Sequence, residues 1–354
     1  AESLATIRTN ILKSPFSKTI RVPKPVLGLC GKELLIMELL DGAKLSDSLE
    51  ADLAEILGHQ KSKQLLERKR LELILGPDKM KALESSSSSS SQTRPLQGVV
   101  DDKGEESKTE ENDGGTASTE LIGGNTEASL LNDCGWKTKL QLLGLYKRAQ
   151  STIDLLVDVQ GYQMLRDGVF QGDPHPGNIL ELRSTTKKVG TILGRKSVLL
   201  GLIDYGQTKA ISDRERLGIA RVILALGGGN DGTESLLGMA LTNSTRVERI
   251  ADAMRDLGFV TKNDDSGVLA QYAGLFFDSD EIGKRLYDCP TPQTYFKLLT
   301  EMDPLITVPD VAVFVARCGF LLRGMGTMLG KQIKTSKRWS VYAKQALEEH
   351  KQGK

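Results

Sequence analysis

Val169-Phe170-Gln171-Gly172-Asp173-Pro174-His175-Pro176-Gly177-Asn178-Ile179-Leu180, followed by Leu202-Ile203-Asp204-Tyr205-Gly206-Gln207, sets a carboxylate, an amide and a second carboxylate in a fixed order along the chain. Magnesium is a hard cation that takes oxygen ligands, and this order supplies them from two loops. Ser197 to Ile203 has the composition of a buried strand, rich in Val, Leu and Ile, and Asn178 to Leu182 that of a shorter strand before it. The spacing therefore predicts a hairpin with Asn178 and Asp204 at one end. An Asp-x-Gly after a strand is ordinarily only a turn, because Gly tolerates positive φ. An isolated Asp five residues before an Asn is equally bland; the weight lies in the order and the strand context together.

Pro174 and Pro176 fix their own φ and drive the preceding residues toward extended backbone, so the loop is expected to be stiff and non-helical. His175 invites a metal-ligand reading, but His59 and His350 are the only other histidines and no Cys or His stands at ligand spacing. A structural loop histidine is the better expectation.

A catalytic loop with Asp and then Asn, followed by a strand-borne Asp, is the arrangement kinases use for phosphoryl transfer. Asp173 and Asn178 match the first part, and Asp204-Tyr205-Gly206 stands where many kinases have Asp-Phe-Gly. The centre, Asp173-Pro174-His175-Pro176-Gly177-Asn178, resembles the signature of the UbiB, or ADCK-like, family of atypical kinases. The likeness extends to Val22-Pro23-Lys24-Pro25-Val26, Leu34-Leu35-Ile36-Met37-Glu38, Asp41-Gly42-Ala43-Lys44-Leu45 and a helix containing Val315 to Gly324. Apart from an insertion, it covers most of Ala1 to roughly Gly330.

The resemblance implies an α+β, protein-kinase-like fold, with a partial small β lobe and a mostly helical large lobe. It implies ATP and Mg2+ as cofactors and an ATPase or unorthodox kinase activity. Its usual setting is prenylquinone biosynthesis, of ubiquinone or plastoquinone type, or lipid homeostasis, in bacteria, mitochondria or plastids. A mitochondrial or plastid location, and membrane-associated quinone precursors or quinone-biosynthesis proteins as partners, follow as expectations. By the same carry-over Asp173 is the catalytic residue that orients the nucleophile or contributes a carboxylate to the metal cluster, and Asn178 and Asp204 are the magnesium ligands. Met37, Glu38 and Leu39 would form the lobe connection whose backbone groups bond the adenine edge. Met37 equally fits a buried strand methionine, since Met is a general core filler.

The family's Lys-x-Gly-Gln extension, Ala-rich nucleotide loop, ATP-contacting Lys and paired helix Glu have no match here. Ala1-Glu2-Ser3-Leu4 starts where the helix Glu would have just passed, and Glu2 is a poor substitute. The chain therefore reads as beginning inside a longer protein, and on its own is expected to turn over ATP weakly or not at all.

Over 354 residues the net charge is +1, from 47 basic and 46 acidic side chains, which gives no support for nucleic-acid binding. Cys30, Cys134, Cys289 and Cys318 lack paired spacing, so neither a disulfide framework nor a zinc site is indicated. Val311 to Leu329 is apolar but interrupted by Arg317 and Arg323, which leaves peripheral contact as the expected relation to a membrane.

The organisation expected is a small-lobe remnant and hinge over 1–40, with strands at Arg21 to Leu29 and Glu33 to Glu38. A helical start of the large lobe follows over 41–84. The serine run Ser85 to Ser91 and the acidic stretch Asp101 to Asp113 open a segment over 85–132 too polar to offset chain ordering, read as disordered. The large lobe occupies 133–335 and a polar tail 336–354. Leu155, Val159, Tyr162 and Leu165 share a helix face that Gly168 can end, and Ser212 with Glu215 has capping-box spacing. Gly227-Gly228-Gly229 follows a helix with no Lys-Ser/Thr after it, which favours a helix stop over a phosphate cradle. Two rivals stay open: a nucleotide-binding regulator or scaffold without turnover, and a small-molecule phosphotransferase of aminoglycoside- or choline-kinase type. The latter usually places a His just before the first Asp, where this chain has Gln171-Gly172.

Overall fold

A computed structural model describes residues 1–75, 134–182, 199–227, 244–279, 281–329 and 331–353. The serine-rich, acidic segment expected over 85–132 lies outside them, as do Ser197, Gly228 and Gly229. The chain forms two compact units, one of Glu50–Leu145 and one of Ala1–Leu49 with Tyr146–Lys354.

The smaller unit holds most of α2 (Leu45–Leu57), then α3 (His59–Leu75) and the start of α4 (Trp136–Tyr162). Gly58 joins α2 to α3 at φ +82, a left-handed geometry that suits Gly.

The larger unit is mixed α+β and mostly helical, as expected. Its four-stranded sheet has the order β1-β5-β4-β2, with β1 at Ile20–Arg21, β2 at Gly42–Lys44, β4 at Ile179–Leu182 and β5 at Leu200–Leu202. The β4–β5 pair is the antiparallel hairpin read from the sequence, with Ile179 opposite Leu202. β1 adds in parallel to β5, and β2 antiparallel to β4.

The small-lobe strands are shorter than expected. Only Ile20–Arg21 of the first is regular, and Leu27–Leu29 is a 3-10 turn. Pro23 and Pro25 bring no backbone N–H to a ladder. Glu33 to Glu38 likewise forms no regular strand; it meets the first segment through the Pro25–Met37 bridge and bonds such as Val26 N–H to Ile36 O at 2.9 Å.

Helix α4 carries the chain toward the motif. Leu156, Val157 and Val159 are buried along it, and at Gln163–Asp167 it continues as a π-turn ended by Gly168 at φ +66. β3 (Val169–Gln171) follows and pairs antiparallel with β6 (Thr208–Ala210), so a two-stranded ribbon brackets the two motif loops. α5 (Asp213–Gly227) starts with the expected capping box: Ser212 N–H donates to Glu215 Oε2 at 2.8 Å and Glu215 N–H to Ser212 Oγ at 3.3 Å. The Ser212 N–H bond, with a second from Ser212 Oγ–H to the same Oε2 at 2.7 Å, also holds the Glu215 carboxyl below its ordinary range.

The remaining helices are α6 (Ser244–Leu257), α7 (Ser266–Phe277), α8 (Glu281–Leu286), α9 (Pro292–Met302), α10 (Asp310–Met328) and α11 (Thr335–Lys351), with a small ribbon of β7 (Val260–Thr261) and β8 (Leu305–Thr307) between them. Tyr272, Phe277, Leu299, Val315 and Leu322 are fully buried in the core they enclose. By length and composition α10 could cross a membrane, but it packs here as a core helix with Val311, Ala312, Val315 and Cys318 inside.

The polar tail read from 336 onward is instead α11. Trp339, Ala343 and Ala346 recur at helical spacing and are fully buried, and Trp339 Nε1–H donates to Val157 O at 2.8 Å. Two of these contacts are alanines, so the stripe is narrow and easily masked by the Lys, Glu and Gln around it.

Candidate active site

The motif loops are built by short-range bonds. His175 N–H donates to Asp173 O at 2.8 Å, and Asn178 N–H to His175 O at 2.9 Å, closing a 3-10 turn at Pro176–Asn178. His175 Nδ1 accepts from Gly177 N–H at 3.1 Å, so this histidine caps the turn, the structural role expected of it. The turn sets Asn178 at the start of β4, whose register with β5 then determines where Asp204 emerges.

Three contacts draw the loops together. Ile203 N–H donates to Asn178 O at 3.1 Å, one residue before Asp204. Gln171 Nε2–H donates to Asp204 O at 2.5 Å, and Gly172 N–H donates to Gln207 O at 2.6 Å. A Cβ at position 172 would lie 2.7 Å from that Gln207 oxygen, so only Gly permits this approach. The Asp173, Asn178 and Asp204 loops are thus neighbours.

Asp173 and Asn178 are half-buried and Asp204 is exposed. Asp204 Oδ1 accepts from Gly206 N–H at 2.8 Å, an Asx turn that orients the carboxylate at the strand end. Asp173 Oδ2 lies 3.3 Å from Arg317 Nη2. The adjoining Tyr205 ring packs against the core, and burial raises its hydroxyl well above the ordinary tyrosine range. The Asp204 carboxylate and the Asn178 amide oxygen are hard-oxygen donors that fit magnesium rather than zinc. Among the described residues no three His, Cys, Asp or Glu side chains group as a metal site.

Met37, Glu38 and Leu39 lie beside the Lys24–Val26 segment, which Met37 meets through its bridge to Pro25. Glu38 N–H donates to Lys24 O at 2.8 Å, its carboxylate accepts from Lys24 N–H at 3.0 Å, and Arg8 stands 3.6 Å away. Leu39 is 94% exposed. Leu40 then packs over Gly201 in β5, where a Cβ would come within 3.0 Å of its Cδ1. Among the described residues no hydrogen bond or ion pair joins Met37, Glu38 or Leu39 to Asp173, Asn178 or Asp204.

Residues 141–232 match the model of the ABC1 atypical kinase-like domain. The ABC1 match runs from within α4 past the end of α5, and it contains Asp173, Asn178 and Asp204. It supports the ABC1/UbiB-type atypical kinase family and, with the fold, a kinase-like phosphotransferase class. No curated protein and no solved structure matches the chain.

Sequence reading missed the residues that support these loops. Gln160 Nε2–H donates to Gln171 O at 2.8 Å and to Cys318 Sγ at 3.3 Å, and Gln171 carries the chain of bonds on to Asp204 O. Both glutamines are buried. Their signal was present in outline: an amide facing an apolar helix stripe, and another in an apolar strand just before the loop, each need a partner. None of the four cysteines is in a disulfide, and burial pushes the Cys318 thiol up to about 12, so it serves packing and weak hydrogen bonding rather than chemistry.

Proposed function

We propose that this protein is an atypical kinase or ATPase of the UbiB type that binds Mg-ATP and supports prenylquinone biosynthesis or lipid homeostasis. The observation that carries the reading is the adjacency of the two loops, through Ile203 N–H to Asn178 O and Gln171 Nε2–H to Asp204 O. The ABC1 match over the same residues supports it.

In this reading Asn178 and Asp204 would hold the cation, and Met37 to Leu39 would offer backbone groups to the base. Magnesium, when bound, neutralises charge on the phosphates. Asp173 accepts a hydrogen bond from the attacking hydroxyl or water and orients it toward the terminal phosphorus. The chain's contribution is position and electrostatics, with no covalent intermediate. The quinone setting and a mitochondrial or plastid location rest on the family resemblance alone.

Asp173→Asn tests the division of roles, in protein expressed from the complete coding sequence. Magnesium-dependent ATP binding, measured by calorimetry, is expected to persist, while turnover falls by about 10²- to 10⁴-fold, the range for a lost positioned base. Unchanged turnover would remove Asp173 from the reaction. ATP binding by the wild type without any hydrolysis or transfer would favour a nucleotide-binding regulator.

A further inference from the structure

Helix α10 presents Phe314, Arg317 and Cys318, at i, i+3 and i+4, to the motif loops. Phe314 meets Lys209 of β6, whose Nζ stands 5.0 Å over the ring, and lies 3.4 Å from the position a Gly172 Cβ would take. Cys318 Sγ reaches Gln171 O at 3.5 Å. Between them, Arg317 divides its guanidinium: Nη2 is 3.3 Å from Asp173 Oδ2, and Nη1–H donates to Gln207 Oε1 at 2.6 Å. One side chain thus spans the loop of Asp173 and the loop that follows Asp204.

We propose that Arg317 is a positioning residue that sets the Asp173 carboxylate for the reaction and couples it to the Asp204 loop through Gln207. This rests on the reading of Asp173 as the group that orients the nucleophile. The base of the side chain is anchored because Val311, Ala312, Val315 and Cys318 are buried around it, whereas the guanidinium is not: the Arg317 side chain is 46% exposed and that of Asp173 25%. An ion pair this wet adds little to folding. Its effect therefore lies in orientation. A carboxylate on two rotatable bonds samples several rotamers, and a fixed cation on one oxygen selects one of them, leaving Oδ1 for the nucleophile. Only a planar fork can serve Asp173 and Gln207 together; a lysine keeps the charge and loses the second bond.

The test compares wild type, R317K, R317Q, Q207A and the R317Q/Q207A double variant, expressed from the complete coding sequence. Magnesium-dependent ATP binding, steady-state turnover and thermal unfolding are measured for each. R317Q is expected to lower kcat by about 10²-fold, the loss that a misplacement near 1 Å produces, with the ATP dissociation constant and the unfolding midpoint unchanged. R317K should fall between R317Q and wild type, and Q207A should cost less in the R317Q background than alone. Wild-type kcat in R317Q would overturn the proposal, as would strictly multiplicative effects of the two substitutions. A parallel loss of kcat, ATP binding and midpoint would also overturn it, in favour of a structural role; should R317Q fail to fold, R317K and Q207A carry the same comparison. If Asp173→Asn leaves turnover intact, the reading beneath the proposal fails, an outcome distinct from an Arg317 that does not matter.

Discussion

Replacing Asp204 by Asn is expected to weaken magnesium-dependent ATP binding by at least about 100-fold, since changes even in groups behind a metal ligand cost 10- to 100-fold. The substitution removes a full charge from the donor set while leaving an oxygen that can still accept from Gly206 N–H, now 2.8 Å from Oδ1. The Asx turn should therefore persist, and with it the loop. Asp204 is exposed, so no buried charge is created or lost and the unfolding midpoint in the absence of nucleotide should stay at the wild-type value. Calorimetric titration with ATP in magnesium and in EDTA separates the two effects. Undiminished magnesium-dependent binding would remove Asp204 from the metal site.

The second large effect is on stability. Asp278 closes α7 and is buried, and its Oδ1 accepts from Ser336 N–H at 3.1 Å and Ser336 Oγ–H at 2.6 Å. Thr335 Oγ1–H donates alongside to Phe277 O at 2.7 Å. These bonds fasten the start of α11 to the core, and α11 in turn packs on α5, the helix that follows the Asp204 loop. Asp278→Ala strands two buried donors and leaves a cavity, at a cost of about 3 kcal/mol. Burial pushes the Asp278 carboxyl above its ordinary range, ahead of the opposing bonds from Ser336. A raised folded-state value means that the folded chain holds the proton more tightly. Its stabilising contribution is then full below the unfolded carboxylate value of about 3.9 and declines as pH rises toward the folded one. The deficit of Asp278→Ala, followed by urea unfolding, should accordingly shrink as pH is raised. A deficit that grows with pH would contradict the assignment.

What the sequence revealed about the site was its local chemistry. The adjacency of the Asp173, Asn178 and Asp204 loops was legible because the apolar composition on either side of the turn points to a hairpin, and the β4–β5 pairing follows from it. The Ser212–Glu215 cap was legible because both partners lie within one turn. Arg317 was visible only as part of a helix resembling the family's, because its pairing with Asp173 is made by tertiary packing that no local pattern encodes. The same holds for Gln160 and Gln171, whose polar character signalled a need for partners without naming them. In the small lobe, β propensity between Arg21 and Leu29 overstated the strand because Pro23 and Pro25 deny the ladder its donors. At the other end, small alanines beside one Trp hid a buried helix among charges.

The central claim is that oxygens from Asn178 and Asp204 gather, beside Asp173, around one divalent ion under a triphosphate. Crystals of the protein grown with ATP and Mn2+ in place of Mg2+ test it directly, through the anomalous signal of the metal. The account predicts a peak on the nucleotide phosphates within about 2.5 Å of an Asp204 carboxylate oxygen and of Asn178 Oδ1. Bound nucleotide with its manganese away from both side chains would contradict it.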